Sequence, residues 1–126
     1  MSIYFILAWL WGILILILTL MPGSAIPVFS FSNLFQIDKL AHLVFFFVLS
    51  YLMIKSFAQK EQRSFFKINY ILFSILISFL YGLTLEILQH FIPGRGLDPL
   101  DVLANTTGAI LGGLIYLIQK KLKHSS

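Results

Sequence analysis

The sequence predicts an all-α integral membrane protein, a four-transmembrane-helix bundle with both termini in the cytoplasm. Its 126 residues are 59% hydrophobic and 11% charged, with a mean hydropathy of +0.92, whereas soluble domains carry about 25% charged residues. Four apolar runs follow one another, and most basic residues gather at two places between or after them. Because a backbone in lipid must satisfy its own hydrogen bonds, such long runs favour helices.

The four predicted spans cover residues 3–21, 40–56, 68–92 and 100–118. A spanning helix needs about 20 apolar residues to cross roughly 30 Å of hydrocarbon. The first run ends at Pro22 and Gly23, and the third at Pro93, because a residue before proline is biased away from helix. An earlier start of the second is indicated by Asn33 and Gln36, which have capping-box spacing. The length predicts a single domain over residues 1–126.

The first span has an alternative interpretation as a cleaved signal peptide. Residues 23–25, Gly-Ser-Ala, faintly resemble a cleavage site. However, no basic segment precedes the run, and its apolar part is longer than the 7–15 residues typical of such a signal. Retention as a true span is therefore favoured.

The distribution of lysine and arginine predicts the orientation. Seven of these residues flank the middle connection or follow the fourth span: Lys55, Lys60, Arg63, Lys67, Lys120, Lys121 and Lys123. The other two connections carry only Lys39 and Arg95. Cytoplasmic loops are enriched in basic residues, so the middle loop and both termini are predicted inside. These charges are interpreted as a topology signal and as attraction to anionic lipid, not as a nucleic-acid site.

Polar residues gather at the opposite ends of the spans. They lie at the start of the second span, at the end of the third, in the connection between the third and fourth, and at the start of the fourth. These residues are Asp38, Lys39, His42, Glu86, Gln89, His90, Arg95, Asp98, Asp101 and Asn105. Ionisable residues inside spans usually face the bundle interior or a wet cavity. We therefore expect a polar pocket at one level of the membrane.

Helical geometry predicts which faces meet. On the fourth span one narrow stripe is formed by Asp101, Asn105, Gly108 and Gly112. Small residues in such a stripe let a neighbouring helix approach closely. One face of the third span carries Ser74, Ser78, Gly82, Glu86 and Gln89. The simplest packing sets these two faces together, with Asp38 and His42 completing the pocket.

Several of these residues also have ordinary structural roles. Asp98 before Pro99 is typical of a helix N-cap, which is favoured over catalysis for that residue. Arg95 fits a lipid-phosphate anchor as well as a substrate contact. His90, near a helix end, is expected to reach water rather than to bind a metal.

Glu86 is the hardest residue to explain structurally. It lies about 10 Å below Pro93 along the helix, where a carboxylate costs a few kcal/mol unless it is paired or protonated. Its candidate partners are Arg95, Lys39 and His42. The sequence leaves open whether Glu86 forms a structural ion pair or acts as an acid or base.

Cofactor and metal motifs give little signal. Oxygen and nitrogen ligands suit a divalent ion, and the possible ligands here are Asp38, His42, Glu86, His90, Asp98 and Asp101. No fixed metal-motif spacing occurs, and P-loop, Rossmann, zincin and nucleophile-elbow patterns are absent. Cysteine is absent too, which excludes disulfides and thiolate chemistry. We predict no cofactor and no metal.

The spacing of the polar residues resembles the VanZ-like family of small bacterial membrane proteins. The resemblance covers residues 22–113 and rests on Asp38-Lys39-x-x-His42, Glu86-x-x-Gln89, Pro93-Gly94-Arg95, Asp98-x-x-Asp101, Asn105 and Gly108. It implies a multi-pass protein of the bacterial plasma membrane with its polar signature near the outer face. The family is named after a member linked to resistance against teicoplanin-type glycopeptides.

Three functions are compatible with these residues. The first is binding of a lipid headgroup or lipid-linked envelope precursor, which alters glycopeptide susceptibility; its contacts would be Asp38, Lys39, Gln89, Arg95, Asp98 and Asn105, and arginine suits phosphate geometry. The second is an enzyme for a lipid-anchored substrate, with Glu86 or Asp101 as base and His42 as proton carrier. A small transporter is less favoured, because the polar groups lie near one face only.

Overall fold

The computed structural model describes residues 2–21, 31–60 and 69–125; side chains of residues 31–36 and 60 lie outside the description. Four helices follow in order: α1 (Ile3–Thr19), α2 (Phe31–Lys60), α3 (Tyr70–Gln89) and α4 (Pro99–Ser125). The all-helical prediction is confirmed. Among the described residues, three helices are long and apolar enough to cross a membrane, and α1, with 17 residues, is a shorter apolar helix.

The helices differ most from the predicted spans in two places. Helix α2 begins at Phe31 rather than at residue 40, because no proline or glycine interrupts residues 31–39. Helix α4 continues to Ser125 rather than ending at residue 118. Its last turns contain Lys123 and His124, and basic residues interact favourably with the negative end of the helix dipole. Helices α2 and α4 thus continue through polar residues beyond their apolar segments.

Some predicted features fall outside the described residues. These are the helix breaker and cleavage-like segment at residues 22–25, the basic residues Arg63 and Lys67, and the side chains of Asn33 and Gln36. At the start of α1, Ser2 is the N-cap: its hydroxyl accepts hydrogen bonds from the backbone N–H groups of Tyr4 and Phe5 at 3.1 and 3.3 Å. Such a cap satisfies otherwise unpaired donors of the first turn.

The glycine stripe of α4 packs against α2, not against α3 as the sequence suggested. A Cβ atom at Gly108 would overlap the backbone oxygen of Leu43, and one at Gly112 would lie 2.7 Å from the backbone oxygen of Phe47. These two glycines therefore let the α2 and α4 backbones touch, and this pair makes the most extensive helix contact. Helix α3 meets α4 beside this seam, where a Cβ atom at Gly82 would lie 2.9 Å from Asn105 Nδ2.

Candidate functional site: an acidic cluster at one end of the bundle

Three helices and one loop bring seven polar side chains together at the end of the bundle that carries the α3–α4 hairpin. We call this group the acidic cluster. Its members are Asp38, Lys39 and His42 of α2, Glu86 of α3, Asp98 of the loop, and Asp101 and Asn105 of α4. The predicted inner faces of α3 and α4 are indeed buried. The close α2–α4 contact places residues that are far apart in sequence within one pocket.

Lys39 is surrounded by carboxylates. Its Nζ donates a hydrogen bond to Asp98 Oδ2 at 2.6 Å and pairs with Asp101 Oδ1, and Asp38 Oδ2 lies 3.6 Å away. The hydrogen bond from Lys39 lowers the pKa of Asp98 below its usual value, despite some desolvation. Three carboxyl groups therefore share Lys39, which is already engaged by its own chain.

His42 lies at the centre of the cluster and is buried. Its Nδ1 lies 2.8 Å from Asn105 Oδ1 and 3.9 Å from Glu86 Oε1. On the other side of the ring, Nε2 lies 3.7 Å from both Asp38 Oδ1 and Asp101 Oδ2. Those two separations exceed hydrogen-bond length, so the ring faces both carboxylates across a gap.

Glu86 is fully buried, with 0% of its surface exposed. Its Oε2 accepts a long hydrogen bond of 3.4 Å from the backbone N–H of Asp98. Its Oε1 has no hydrogen-bond partner among the described residues. Of the three partners expected from the sequence, His42 lies beside the carboxylate, with its Nδ1 3.9 Å from Glu86 Oε1.

Asp98 has the capping role expected for it and a second role as well. Its Oδ1 accepts a hydrogen bond of 2.9 Å from the backbone N–H of Leu100 in the first turn of α4. The other oxygen, Oδ2, binds Lys39 of α2. The Asp98 side chain thus caps the N-terminus of α4 and also links that helix to Lys39 of α2.

Arg95 and Gln89 lie outside the cluster and bind the end of α1. Arg95 donates hydrogen bonds of 3.2 Å to the backbone oxygens of Leu18, Thr19 and Met21. Gln89 Nε2 donates one of 3.0 Å to Thr19 O. The last carbonyl groups of a helix lack partners within it and attract cations. We call these contacts the α1 tie.

The α1 tie was not foreseen from the sequence, where both residues were grouped with the pocket. A signal was present, however. Helix α1 has no basic residue in its last turn, so its terminal carbonyls needed donors from elsewhere. His90 also lies apart from the cluster: it is exposed, and its ring packs edge-on against Phe91 with centroids 5.4 Å apart.

A separate apolar cavity of about 450 Å³ lies along α1, between that helix and α2 and α3. It is lined by Trp9, Leu16, Met53 and Tyr81 among others. Tyr81 also donates a hydrogen bond of 2.6 Å to Gly12 O of α1. In a bilayer such a surface faces hydrocarbon and requires no polar ligand.

Together these features define a multi-pass membrane protein with a charged side-chain cluster at one end of its helix bundle. The family model described as VanZ/LLP1 matches residues 3–120, and the chain belongs to this family. The match confirms the resemblance seen in the polar motifs. The comparison with curated proteins found no match, and neither did the comparison with solved structures.

Proposed function

We propose that this VanZ/LLP1-family protein binds the headgroup of a lipid or lipid-linked cell-envelope component at the acidic cluster, and thereby changes susceptibility to teicoplanin-type glycopeptides. One observation carries the proposal. A buried Glu86 oxygen, without a hydrogen-bond partner among the described residues, lies in a cluster of polar side chains from three helices. Buried polar groups are normally satisfied, so an unsatisfied carboxylate among other charged groups favours an external ligand.

The charges of the cluster define the chemistry of that ligand. Lys39 is engaged by Asp98 and Asp101, and Arg95 is engaged by carbonyls of α1. Neither cation is therefore well placed to meet a phosphate directly. Ionised carboxylates only accept hydrogen bonds, so the favoured headgroup presents hydroxyl or ammonium donors, as sugars and amines of envelope components do.

We place the cluster on the outer side of the bacterial plasma membrane. Support comes from the opposite end of the bundle, where Lys55 lies 5.7 Å from the Tyr51 ring centroid and Lys120 lies 5.7 Å from that of Tyr70. Lysine and tyrosine together are typical of a membrane interface, and basic residues favour the cytoplasmic side. The cysteine-free chain allows this to be measured with single cysteines. An impermeant maleimide should label Gly96→Cys in intact cells and Ser125→Cys only after permeabilisation; the reverse pattern would contradict the orientation.

A second function, acid–base catalysis on a lipid-anchored substrate, is favoured by one specific contact. His42 lies 3.9 Å from the Glu86 carboxylate and is held by Asn105. An oriented histidine beside a buried carboxylate is an arrangement that proton transfer uses. In this proposal Glu86 or Asp101 is the base and His42 carries the proton.

One experiment separates binding from catalysis. Purified protein in nanodiscs is incubated with labelled envelope lipids, and both retention and chemical change are followed. The binding proposal expects saturable retention of unchanged lipid, which Glu86→Gln and Asp101→Asn weaken. A modified lipid whose formation requires His42 would establish the enzyme instead. Equal retention by native protein and both variants would contradict the cluster as the site.

A further inference from the structure

We propose that Asp38, His42 and Asp101 bind a divalent transition-metal cation. One ligand atom from each residue can be chosen so that all three lie within 4.8 Å of one another. His42 Nε2 lies 3.7 Å from Asp38 Oδ1 and 3.7 Å from Asp101 Oδ2. In a tetrahedral site with bonds of about 2.1 Å, ligand atoms lie roughly 3.4 Å apart. The two separations from His42 therefore need to shorten by only a few tenths of an ångström to match such a site.

The orientation of the histidine ring favours a metal at Nε2. Asn105 Oδ1 can only accept a hydrogen bond, so the His42 Nδ1 that lies 2.8 Å from it donates. In the neutral ring the lone pair then resides on Nε2, directed towards the two carboxylates. Metal-binding histidines usually donate their other ring N–H to a carbonyl or carboxylate in this way. Asn105 is thus a positioning residue for the metal ligand.

A second observation beside the His42 ring concerns Glu86. Its Oε1 is buried, lacks a hydrogen-bond partner among the described residues, and points towards the His42 ring at 3.9 Å. A buried carboxylate that is not compensated is costly. A cation held by Asp38, His42 and Asp101 would provide that compensation from the other side of the ring.

Lys39 does not fill this position. Its Nζ pairs with Oδ1 of Asp101, whereas the oxygen that faces His42 is Oδ2. The two oxygens of Asp101 can therefore serve lysine and metal at the same time. One imidazole nitrogen with two carboxylate oxygens suits Zn²⁺ or Mn²⁺ better than Mg²⁺ or Ca²⁺, which prefer oxygen ligands alone.

The metal itself is the probe, so the test does not depend on lipid binding. Full-length protein in detergent, treated with chelator and desalted, is titrated with Zn²⁺ by calorimetry and with Mn²⁺ by electron paramagnetic resonance. We expect saturable binding of one ion per chain. Affinity should fall about tenfold or more in His42→Gln, and by a comparable factor in Asn105→Leu, which removes the orienting carbonyl.

The exposed His90 provides a matched control, because it lies at the same end of the bundle but outside the cluster. His90→Gln should bind metal as the native protein does. If Asp101→Asn unfolds after losing its contact to Lys39, Asp38→Asn is the alternative, since Asp38 is more exposed; circular dichroism checks folding. No saturable binding by native protein would overturn the proposal, as would equal affinity in folded His42→Gln or a loss in His90→Gln.

Discussion

The acidic cluster and the α1 tie lie at the same end of the bundle and use similar residue types, yet they differ in how their charges are compensated. In the α1 tie, Arg95 and Gln89 donate to backbone oxygens at the end of α1, and the buried Gln89 Oε1, which lacks a hydrogen-bond partner among the described residues, is uncharged. In the acidic cluster, three carboxyl groups surround Lys39, and one oxygen of a fourth, that of Glu86, has no hydrogen-bond partner among the described residues.

This difference indicates that the α1 tie has a structural role and that the acidic cluster is a candidate binding site. Backbone carbonyls at a helix end are fixed acceptors, so side chains that bind them hold the fold together. Carboxylates that face one another repel and gain from an additional cation or donor. The polar residues between Glu86 and Asn105 are close in sequence, but they fall into two groups. One group forms the structural α1 tie, and the other belongs to the acidic cluster, the proposed binding site.

The largest effect is expected from Gly108→Leu, which should separate α2 from α4 and so dismantle the cluster while leaving the α1 tie. A side chain there meets the backbone of Leu43, which cannot rotate away. Overpacking typically costs about 1–3 kcal/mol, and this site should reach the upper end. Thermal denaturation in detergent measures the loss.

Gly96 provides the control for that substitution. A Cβ atom at Gly96 has no atom within 4 Å among the described residues, so Gly96→Ala should melt at the native temperature. Equal melting temperatures of Gly108→Leu and native protein would contradict the close approach of the α2 backbone to Gly108.

The second-largest effect is expected from Glu86→Gln. This substitution keeps the shape of the side chain but replaces the carboxyl group with a neutral amide. We expect the change in glycopeptide susceptibility, measured as the inhibitory concentration in cells expressing the protein, to be abolished. Accumulation in the membrane should remain near the native amount, because the hydrogen bond that Glu86 makes within the described residues is long. A variant that is absent from the membrane would instead make Glu86 a structural residue.

Arg95→Ala should show the opposite behaviour. It removes charged hydrogen bonds from the α1 carbonyls, each worth about 1.5–3 kcal/mol at most and less here because Arg95 is partly exposed. We expect a lower melting temperature with lipid retention close to native. Gln89→Leu should act in the same direction but more weakly. Loss of retention without loss of stability in Arg95→Ala would place Arg95 in the binding site.

The smallest effect concerns Asp98, whose pKa is lowered mainly by its hydrogen bond from Lys39. A carboxyl group with a lowered pKa stabilises the folded state above its unfolded pKa, near 3.9, and this contribution is lost as pH falls through the folded pKa. The difference in melting temperature between native protein and Asp98→Asn should therefore be larger at pH 7 than in strong acid. A difference independent of pH would leave only the capping role.

Much of the fold follows from the sequence because apolar runs and buried polar stripes are local features. The stripe of Asp101, Asn105, Gly108 and Gly112, and the α3 face with Glu86, are buried as helical spacing predicts. Helix ends were less well predicted, since α2 and α4 extend through polar residues that lack a breaker.

Partner choice was harder to predict because it depends on which helices touch. The glycine stripe fits α2 as well as α3 on spacing alone, and only the approach of the Leu43 backbone selects α2. Arg95 was likewise assigned to the pocket, because the lack of a basic residue in the last turn of α1 does not show which side chain supplies the missing donors. Asp38, His42 and Asp101 were placed in one pocket from the sequence, but the distances between their side-chain atoms depend on how α2 and α4 pack.

The most direct test is a crystal structure of the protein grown in a lipidic mesophase doped with envelope lipids. We predict headgroup density in contact with the acidic cluster at Glu86, with Arg95 still bound to the carbonyls of α1. An empty cluster whose side chains turn apart, or Glu86 paired directly with Arg95, would contradict the division of the polar residues into a binding pocket and a structural tie.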